Sequence, residues 1–140
     1  MPTDAVVDAS IIVALVTPEE HSEWASAEIT SFDYFHIPDL CYYEVANAIK
    51  TKTIKKELNN RMAIDAFTEA VKLLNLCAIH GFSEIIADAI ALSIKTDIST
   101  YDATYISLAK STGSKLITLD KKLARKLENT QYTKMITAPP

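Results

Sequence analysis

Four carboxylates in the sequence lie where ordinary helix or loop chemistry does not fully explain them: Asp8, Glu44, Asp102 and Asp120. Asp8 directly follows an apolar run at residues 5–7, and Asp120 directly follows "KLITL". In parallel α/β sheets, ligands bind beyond the carboxyl ends of the strands. Glu44 lies beside the apolar stripe of a predicted helix, with no Lys or Arg three or four residues away, and Asp102 also lacks a basic partner in its helix.

Each of these carboxylates also has a simpler interpretation. Asp8 and Asp120 stand where a side chain caps the following helix, Asp102 follows Ser99 at the spacing of a capping box, and Glu44 can reach solvent. A parallel sheet, however, can bring all four to one edge. Clustered carboxylates repel one another unless a cation neutralises them, and oxygen-only ligation suits Mg²⁺ or Mn²⁺. Because such ions activate water and stabilise phosphoryl displacement, the set predicts hydrolysis of a phosphodiester.

Predicted strands alternate with helices along the chain. The strands are predicted at residues 5–7, 33–37, 77–81, 115–119 and 133–137. The helices are predicted at residues 11–17, 19–30, 39–52, 59–76, 83–96, 100–112 and 121–129. The pattern places Glu19 and Glu20 in the first turn of the second helix, Ser83 as an N-cap and Gly113 as a C-terminal stop. This alternation favours one α/β domain over residues 1–140, with a mainly parallel sheet.

The composition excludes several classes of protein. The 140 residues are 49% hydrophobic, yet no apolar run approaches the roughly 18 residues that cross a bilayer. The start "MPTDAVVDAS" lacks a basic n-region, so we expect a soluble, cytoplasmic protein. With two glycines, the chain has no Gly-rich phosphate loop. Cys41 and Cys77 match no zinc ligand set and are predicted to be small buried hydrophobes, and the three histidines are isolated in the sequence.

Positive charge is concentrated in particular segments. Residues 1–49 contain nine acids and no Lys or Arg, whereas residues 50–61 and 110–126 are rich in basic side chains. A phosphate-rich partner favours such segments, although a solvated helix face produces the same pattern.

Three stretches, in this order, carry a family resemblance: "VVDASIIVALV", "PDLCYYEVANAI" and "STYDATYISLAKSTGSKLITLDKKLA". The chain resembles PIN-domain ribonucleases of the kind that act as toxins in VapBC toxin–antitoxin pairs. The resemblance implies a twisted, mainly parallel sheet with helices on both faces and an acidic pocket at one edge. Its catalytic and metal-holding positions fall on Asp8, Glu44, Asp102 and Asp120. Positions that support metal-bound water fall on Ser10 and Thr118, and a polar position beside the helix acid falls on Asn47, which could also orient Glu44 from one turn away.

The resemblance also implies an activity. Family members use Mg²⁺ or Mn²⁺ and cut single-stranded RNA by metal-activated water, leaving a 3′-hydroxyl and a 5′-phosphate. They commonly form homodimers and are inhibited by an antitoxin whose tail enters the acidic groove. In this chain the residues expected to guide the RNA backbone are Lys50, Lys52, Lys55, Lys56, Lys121 and Lys122.

Two other functions remain open at this stage. A receiver-type phosphoacceptor domain also clusters acids at strand ends, but it needs an acidic pair where this chain has Val6 and Val7. A non-catalytic module would use the acidic pocket to bind a basic peptide, or would bind RNA without cutting it. The apolar side chains of the early helices, Ile12, Leu15 and Trp24, pack either a second subunit or the protein's own core, and the core is the expectation.

Overall fold

Five short strands form a parallel sheet in the computed structural model, which describes residues 3–140. The strands are β1 (Asp4–Val7), β2 (Tyr34–Pro38), β3 (Ala78–His80), β4 (Lys115–Ile117) and β5 (Ile136–Thr137). Their order is β3-β2-β1-β4-β5, and every neighbouring pair is parallel. The first strand is therefore central. The expected domain of residues 1–140 includes Met1 and Pro2, which lie outside the described residues.

Helices flank this sheet. They are α1 (Ala9–Val16), α2 (Ser22–Ile29), α3 (Leu40–Ile54), α4 (Asn60–Leu74), α5 (Phe82–Thr96), α6 (Thr100–Thr112) and α7 (Lys121–Lys126), with a 3-10 turn at Thr133–Met135. Helices α1, α3 and α4 pack together, and α5 packs on α6. Right-handed crossovers put α1 to α4 on one face, because β1, β2 and β3 proceed in one direction across the sheet. The return to β4 reverses that direction and puts α5 and α6 on the other face, as the family resemblance implied.

The centre of the sheet forms around β1 and β4, which pair with each other and are buried on both faces. Residues 5–7 in β1 are at most 2% exposed, and Leu116 and Ile117 in β4 are fully buried. A near-continuous apolar run is typical of a strand covered by helices on both sides. Ile12 is buried in this core, and Leu15 and Trp24 pack against it, which confirms the core interpretation of the early helices.

Local signals fixed several helix ends as predicted. The Ser99 side chain accepts a hydrogen bond from the Asp102 backbone N–H at the start of α6. Gly113 ends the same helix with φ of +64°, a left-handed conformation that costs glycine little. Asn59 caps α4 in the same way as Ser99 caps α6.

Three local predictions were wrong. Glu19 and Glu20 do not lie in the first turn of α2, because the Ser22 hydroxyl accepts from the Glu19 N–H and donates to the Thr17 carbonyl, which makes a turn before the helix begins. Ser83 is not the cap of α5, whose N-cap is Gly81 without a side-chain hydrogen bond. Cys41 is buried as expected, but Cys77 is only partly buried.

Within residues 3–140, no helix combines the length and the apolar character that a bilayer-spanning segment requires.

Candidate active site

Asp8 lies at the junction between the central strand and its first helix. It directly follows β1 and caps α1, where its Oδ1 accepts from the Ser10 backbone N–H at 3.0 Å and from the Ser10 hydroxyl. Its Oδ2 accepts a hydrogen bond from the Thr118 hydroxyl just beyond β4. The cap interpretation of Asp8 is therefore correct, but a cap needs only the first of these donors. The other two fix the orientation of the carboxylate at the carboxyl edge of the sheet.

Two hydroxyls join the ends of β1 and β4 at this point. The Ser10 hydroxyl donates to Asp8 and accepts from the Leu119 N–H at 3.0 Å. The Thr118 hydroxyl also donates to Asp8 and accepts from the Asp120 N–H at 2.9 Å. Each hydroxyl thus uses both its donor and its acceptor capacity. The turn that carries Asp120 is consequently held against Asp8 through Ser10 and Thr118, two of the residues that the resemblance selected.

Burial dominates the protonation of Asp8. Removal from water raises the pKa of its carboxyl from 3.8 to about 6, while the hydrogen bonds from Ser10 and Thr118 act in the opposite direction. An anionic Asp8 is therefore present at neutral pH, but it is less stable than an exposed carboxylate. A cation placed beside it would relieve this cost.

Glu44 projects from α3 towards α6, where the Tyr105 hydroxyl donates to its Oε1. Burial raises the pKa of Glu44, the Tyr105 hydrogen bond lowers it, and the negative charge of Asp102 raises it. The expected orienting contact from Asn47 is not present among the described residues, where the Asn47 side chain is exposed and makes no hydrogen bond to Glu44. Tyr105 provides that contact instead.

Asp102 and Asp120 each lie at the start of a helix, and their negative charges repel each other. Asp102 lies in the first turn of α6, and the Asp120 side chain caps α7 by accepting from the Leu123 N–H at 3.0 Å. Burial raises the pKa of Asp102, and the charge of Asp120 raises it further, while Ser99 and Lys126 lower it. Both cap predictions are correct, and the two carboxylates nevertheless interact electrostatically.

The four carboxylates are linked from one to the next. Burial is the main reason why the pKa values of Cys41 and Tyr105 are raised. The negative charges of Asp8 and Glu44 raise both pKa values further, so both carboxylates lie near this buried pair. The charge of Asp102 acts on Glu44, and that of Asp120 acts on Asp102. The Thr118 hydroxyl then joins the backbone of Asp120 to Asp8. The residues predicted from their spacing therefore lie in one neighbourhood.

The chemistry of this neighbourhood fits a hard divalent cation. Its side-chain donors are carboxylate oxygens with hydroxyl support, which Mg²⁺ and Mn²⁺ prefer. Within residues 3–140, no three His, Cys, Asp or Glu side chains converge closely enough to hold one metal ion as they stand. To bind a cation, the carboxylates would thus have to move closer together. Their negative charges oppose this movement, and the positive charge of the bound cation would remove that repulsion.

The six lysines expected near RNA differ in their surroundings. The Lys52 ammonium lies 2.6 Å from Glu19 and 3.3 Å from Glu57, and its side chain is only 16% exposed. It is therefore engaged in holding the end of α3 and is a poor candidate for RNA contact. The other five are exposed: Lys50, Lys55, Lys56, Lys121 and Lys122.

Two residues near the carboxylates were missed by reasoning from the sequence. Tyr105 is 4% exposed in an apolar helix face, and a buried tyrosine hydroxyl needs a partner, so its presence three residues after Asp102 was an available signal. Lys126 lowers the pKa of Asp102 from α7, 24 residues along the chain, and no local spacing indicated that contact.

Comparison with known proteins identifies the relatives of this chain. A sequence model described as "PIN domain" matches residues 5–128. Ribonuclease VapC3 of Pyrobaculum aerophilum is 39% identical over 121 residues, covering 86% of this chain and 92% of that protein.

Solved structures show the same fold. A toxin–antitoxin complex from Klebsiella pneumoniae superposes with a TM-score of 0.70 at 17% identity, covering 97% of this chain and 98% of that one. The crystal structure of PAE2754 from Pyrobaculum aerophilum gives 0.64 at 23% identity, with coverage of 90% and 87%. VapC20 of Mycobacterium tuberculosis, described as a sarcin-ricin loop cleaving toxin, gives 0.64 at 16% identity, with coverage of 86% and 93%. The sequence matches cover most of the chain, and the solved structures share its fold. The chain therefore belongs to the PIN-domain family.

Proposed function

We propose that this protein is a metal-dependent endoribonuclease, the toxin of a toxin–antitoxin pair, and that Asp8, Glu44, Asp102 and Asp120 are its metal-holding and catalytic residues. The observation that carries the proposal is the hydrogen-bond connection at the carboxyl edge of the sheet, where the Thr118 hydroxyl joins Asp8 to the backbone of Asp120. The other two carboxylates lie within electrostatic reach, since the charge of Asp120 raises the pKa of Asp102 and that of Asp102 raises the pKa of Glu44. The identity with a protein named ribonuclease VapC3 supports RNA as the substrate.

The chain's own residues would prepare this site. A bound Mg²⁺ or Mn²⁺ would supply activated water and neutralise charge on the scissile phosphate. Ser10 and Thr118 hold both oxygens of Asp8, so that this carboxylate has one orientation. Tyr105 does the same for one oxygen of Glu44. A fixed orientation matters because even a small displacement of a metal ligand or a catalytic base strongly lowers the reaction rate.

The exposed lysines would bind the RNA backbone. Lys121 and Lys122 lie in the first turn of α7, immediately after the proposed site residue Asp120. Exposed cations bind phosphates through a salt-dependent, sequence-independent attraction. Neutralising both, as Lys121→Gln with Lys122→Gln, is expected to raise the Kd for RNA and to reduce its dependence on salt. An unchanged salt dependence would remove these two residues from the RNA-binding surface.

Cleavage of an RNA pool with Mg²⁺ or Mn²⁺ tests the function directly. We compare the wild type with Asp102→Asn, which keeps the side-chain size and leaves the backbone N–H that Ser99 accepts from. Asp88→Asn, on an exposed position of α5, is the matched control, and a thermal melt checks that all three fold. The proposal predicts that the wild type and Asp88→Asn cut and that a folded Asp102→Asn does not. Equal cutting by all three refutes the role of Asp102, and RNA binding without cleavage under either metal favours a non-catalytic module.

An antitoxin is the second proposed partner. We infer that it would place a basic segment against the four carboxylates, since none of them forms a salt bridge with a basic side chain within residues 3–140. An arginine-rich peptide is expected to inhibit cleavage and to lose inhibition as salt increases. A control peptide with glutamine in place of each arginine should not inhibit cleavage. Equal inhibition by the two peptides would argue against this mode of binding.

A homodimer is the third proposed assembly, formed through α5. Phe82, Ile86, Ile90 and Ile94 are 45–80% exposed and follow each other at four-residue intervals. Glu84 lies in the first turn of α5 and Lys95 in its last turn. Two antiparallel copies of α5 would bury the apolar residues and bring these opposite charges together, as a two-fold interface allows. Light scattering should report a dimer for the wild type and a monomer for Ile90→Lys, whereas a monomeric wild type would exclude this interface.

A further inference from the structure

A second group of ionisable side chains lies apart from the four carboxylates, at the other side of the sheet. His36 Nδ1 in β2 lies 3.0 Å from His80 Nε2 in β3. The outer nitrogen of each ring faces a carboxylate: His36 Nε2 lies 2.8 Å from Asp4 Oδ2, and His80 Nδ1 lies 2.9 Å from Glu84 Oε2. We call these four residues the histidine line, because they run carboxylate, imidazole, imidazole, carboxylate.

The sheet itself brings the two imidazoles together. Strands β2 and β3 pair in parallel with His36 opposite Ala78 and Pro38 opposite His80. The two histidines are thus two positions apart in register and project from the same face of adjacent strands. Their side chains are 15% and 21% exposed, so the pair is largely shielded but remains reachable from solvent.

Hydrogen-bond capacity along the histidine line does not balance when both rings are neutral. A carboxylate only accepts, so each outer nitrogen must carry the hydrogen that it donates to Asp4 or Glu84. The inner nitrogen of each neutral ring is then left with a lone pair. Two lone pairs facing each other at 3.0 Å repel, so the contact is attractive only when a cation lies between them.

The surroundings favour a metal ion as that cation. Histidines that bind metals almost always donate their other ring N–H to a carboxylate or carbonyl, which fixes the ring and raises its basicity. Both histidines here have such a carboxylate, from two different elements, β1 and α5. Zinc–imidazole bonds of about 2.0–2.1 Å at a tetrahedral angle separate the two nitrogens by about 3.3 Å. The rings need to move apart by only about 0.3 Å from their present separation of 3.0 Å.

We propose that His36 Nδ1 and His80 Nε2 form a binding site for a divalent transition-metal ion of the zinc class, with water completing its coordination. This site differs from the four carboxylates in chemistry, because imidazole nitrogen selects Zn²⁺, Ni²⁺ or Cu²⁺ over Mg²⁺. The bound ion connects the edge strand β3 to β2 and, through Glu84, to α5. Since it binds the folded arrangement only, it stabilises the fold by mass action.

Titration with ZnCl₂ in excess Mg²⁺ tests the site, because Mg²⁺ competes for carboxylates and not for imidazoles. Calorimetry and the thermal midpoint are measured for the wild type, His80→Gln and two controls. The controls are His21→Gln, the third histidine, and Cys77→Ser, whose thiol donates to the Leu73 carbonyl at 3.5 Å. We expect one Zn²⁺ per chain and a raised midpoint for the wild type and both controls, and loss of both effects in His80→Gln.

A milder variant keeps the test informative should His80→Gln fail to fold. Glu84 is 60% exposed on its side chain, so Glu84→Gln leaves the core untouched while removing the carboxylate behind His80. Loss of such a partner lowers metal affinity by about 10–100-fold. Equal zinc affinity in the wild type and Glu84→Gln overturns the assignment. Absence of zinc binding by the wild type also overturns it and identifies the contact as an imidazole pair that shares a proton.

Discussion

Replacing Asp8 by asparagine should remove a loss of stability that the metal-free protein suffers as the pH rises towards neutral. The reason is that burial raises the pKa of Asp8 from 3.8 to about 6, so its anion is disfavoured in the folded state. The difference is roughly two pKa units at about 1.4 kcal/mol each, or about 3 kcal/mol. Asparagine has no charge to bury, and its amide oxygen can still accept from the Ser10 N–H. Its NH₂ group cannot accept from the Thr118 hydroxyl, which costs about 1–3 kcal/mol at every pH.

The sign of the pH dependence follows from linkage. A carboxyl whose folded pKa is raised binds its proton more tightly in the folded state, so the protonated form adds stability that is complete below pH 3.8 and is lost as pH rises through about 6. Asp8→Asn lacks this dependence. The stability of the variant relative to the wild type should therefore rise by about 2.5 kcal/mol between pH 4 and pH 7.5.

Urea unfolding at the two pH values, without divalent ions, measures this difference. Asp88→Asn, an exposed change on α5, serves as the control and should not alter the stability by more than about 0.5 kcal/mol. Adding Mg²⁺ or Mn²⁺ should stabilise the wild type and not Asp8→Asn, because the proposed site loses a ligand. If the stability of Asp8→Asn relative to the wild type is the same at pH 4 and pH 7.5, burial does not disfavour the Asp8 anion and the reasoning is refuted.

Three further changes test the contacts around the site and the helix ends. Thr118→Val removes a fully buried hydroxyl that makes two hydrogen bonds, and it should lower the free energy of unfolding in urea by about 2–4 kcal/mol. Thr118→Ser keeps the hydroxyl and should retain most of that stability. Equal losses of stability in the two variants would assign the effect to packing. Tyr105→Phe should lower the unfolding free energy by about 1–3 kcal/mol and reduce RNA cleavage, and an unaffected cleavage rate would deny it a positioning role. Gly113→Ala should cost about 1–2 kcal/mol because φ is +64°, whereas Gly81→Ala, with φ of −77° and open space around it, should be neutral or slightly stabilising.

Patterns within a few residues were a good guide to this fold. The apolar run before Asp8 predicted the central strand, and the spacing of Ser99 to Asp102 predicted the start of α6. These features depend on local hydrogen bonds and on periodicity, which neighbouring residues determine. The alternation of strands and helices then limited the fold to a parallel α/β arrangement, and the structure confirms it.

Contacts between distant residues were beyond such patterns. Tyr105 reaches Glu44 across 61 positions, and Thr118 reaches Asp8 across 110. Asn47 was chosen as the partner of Glu44 because it lies one turn away, yet a tyrosine from another helix fills that role. The histidines looked isolated for the same reason, since 44 residues separate His36 from His80 although their rings are in contact.

The position of β1 at the centre of the sheet has a consequence for biosynthesis. Its residues Ala5 and Val6 pair on one side with β2 and on the other with β4, at Lys115 and Leu116. A chain emerging from the ribosome therefore has β1 half-paired until more than 100 further residues have been released. Contacts of such large sequence separation form late. On the proposed function, the nascent nuclease stays inactive until the turn that carries Asp120 has been released and has joined Asp8 through Thr118.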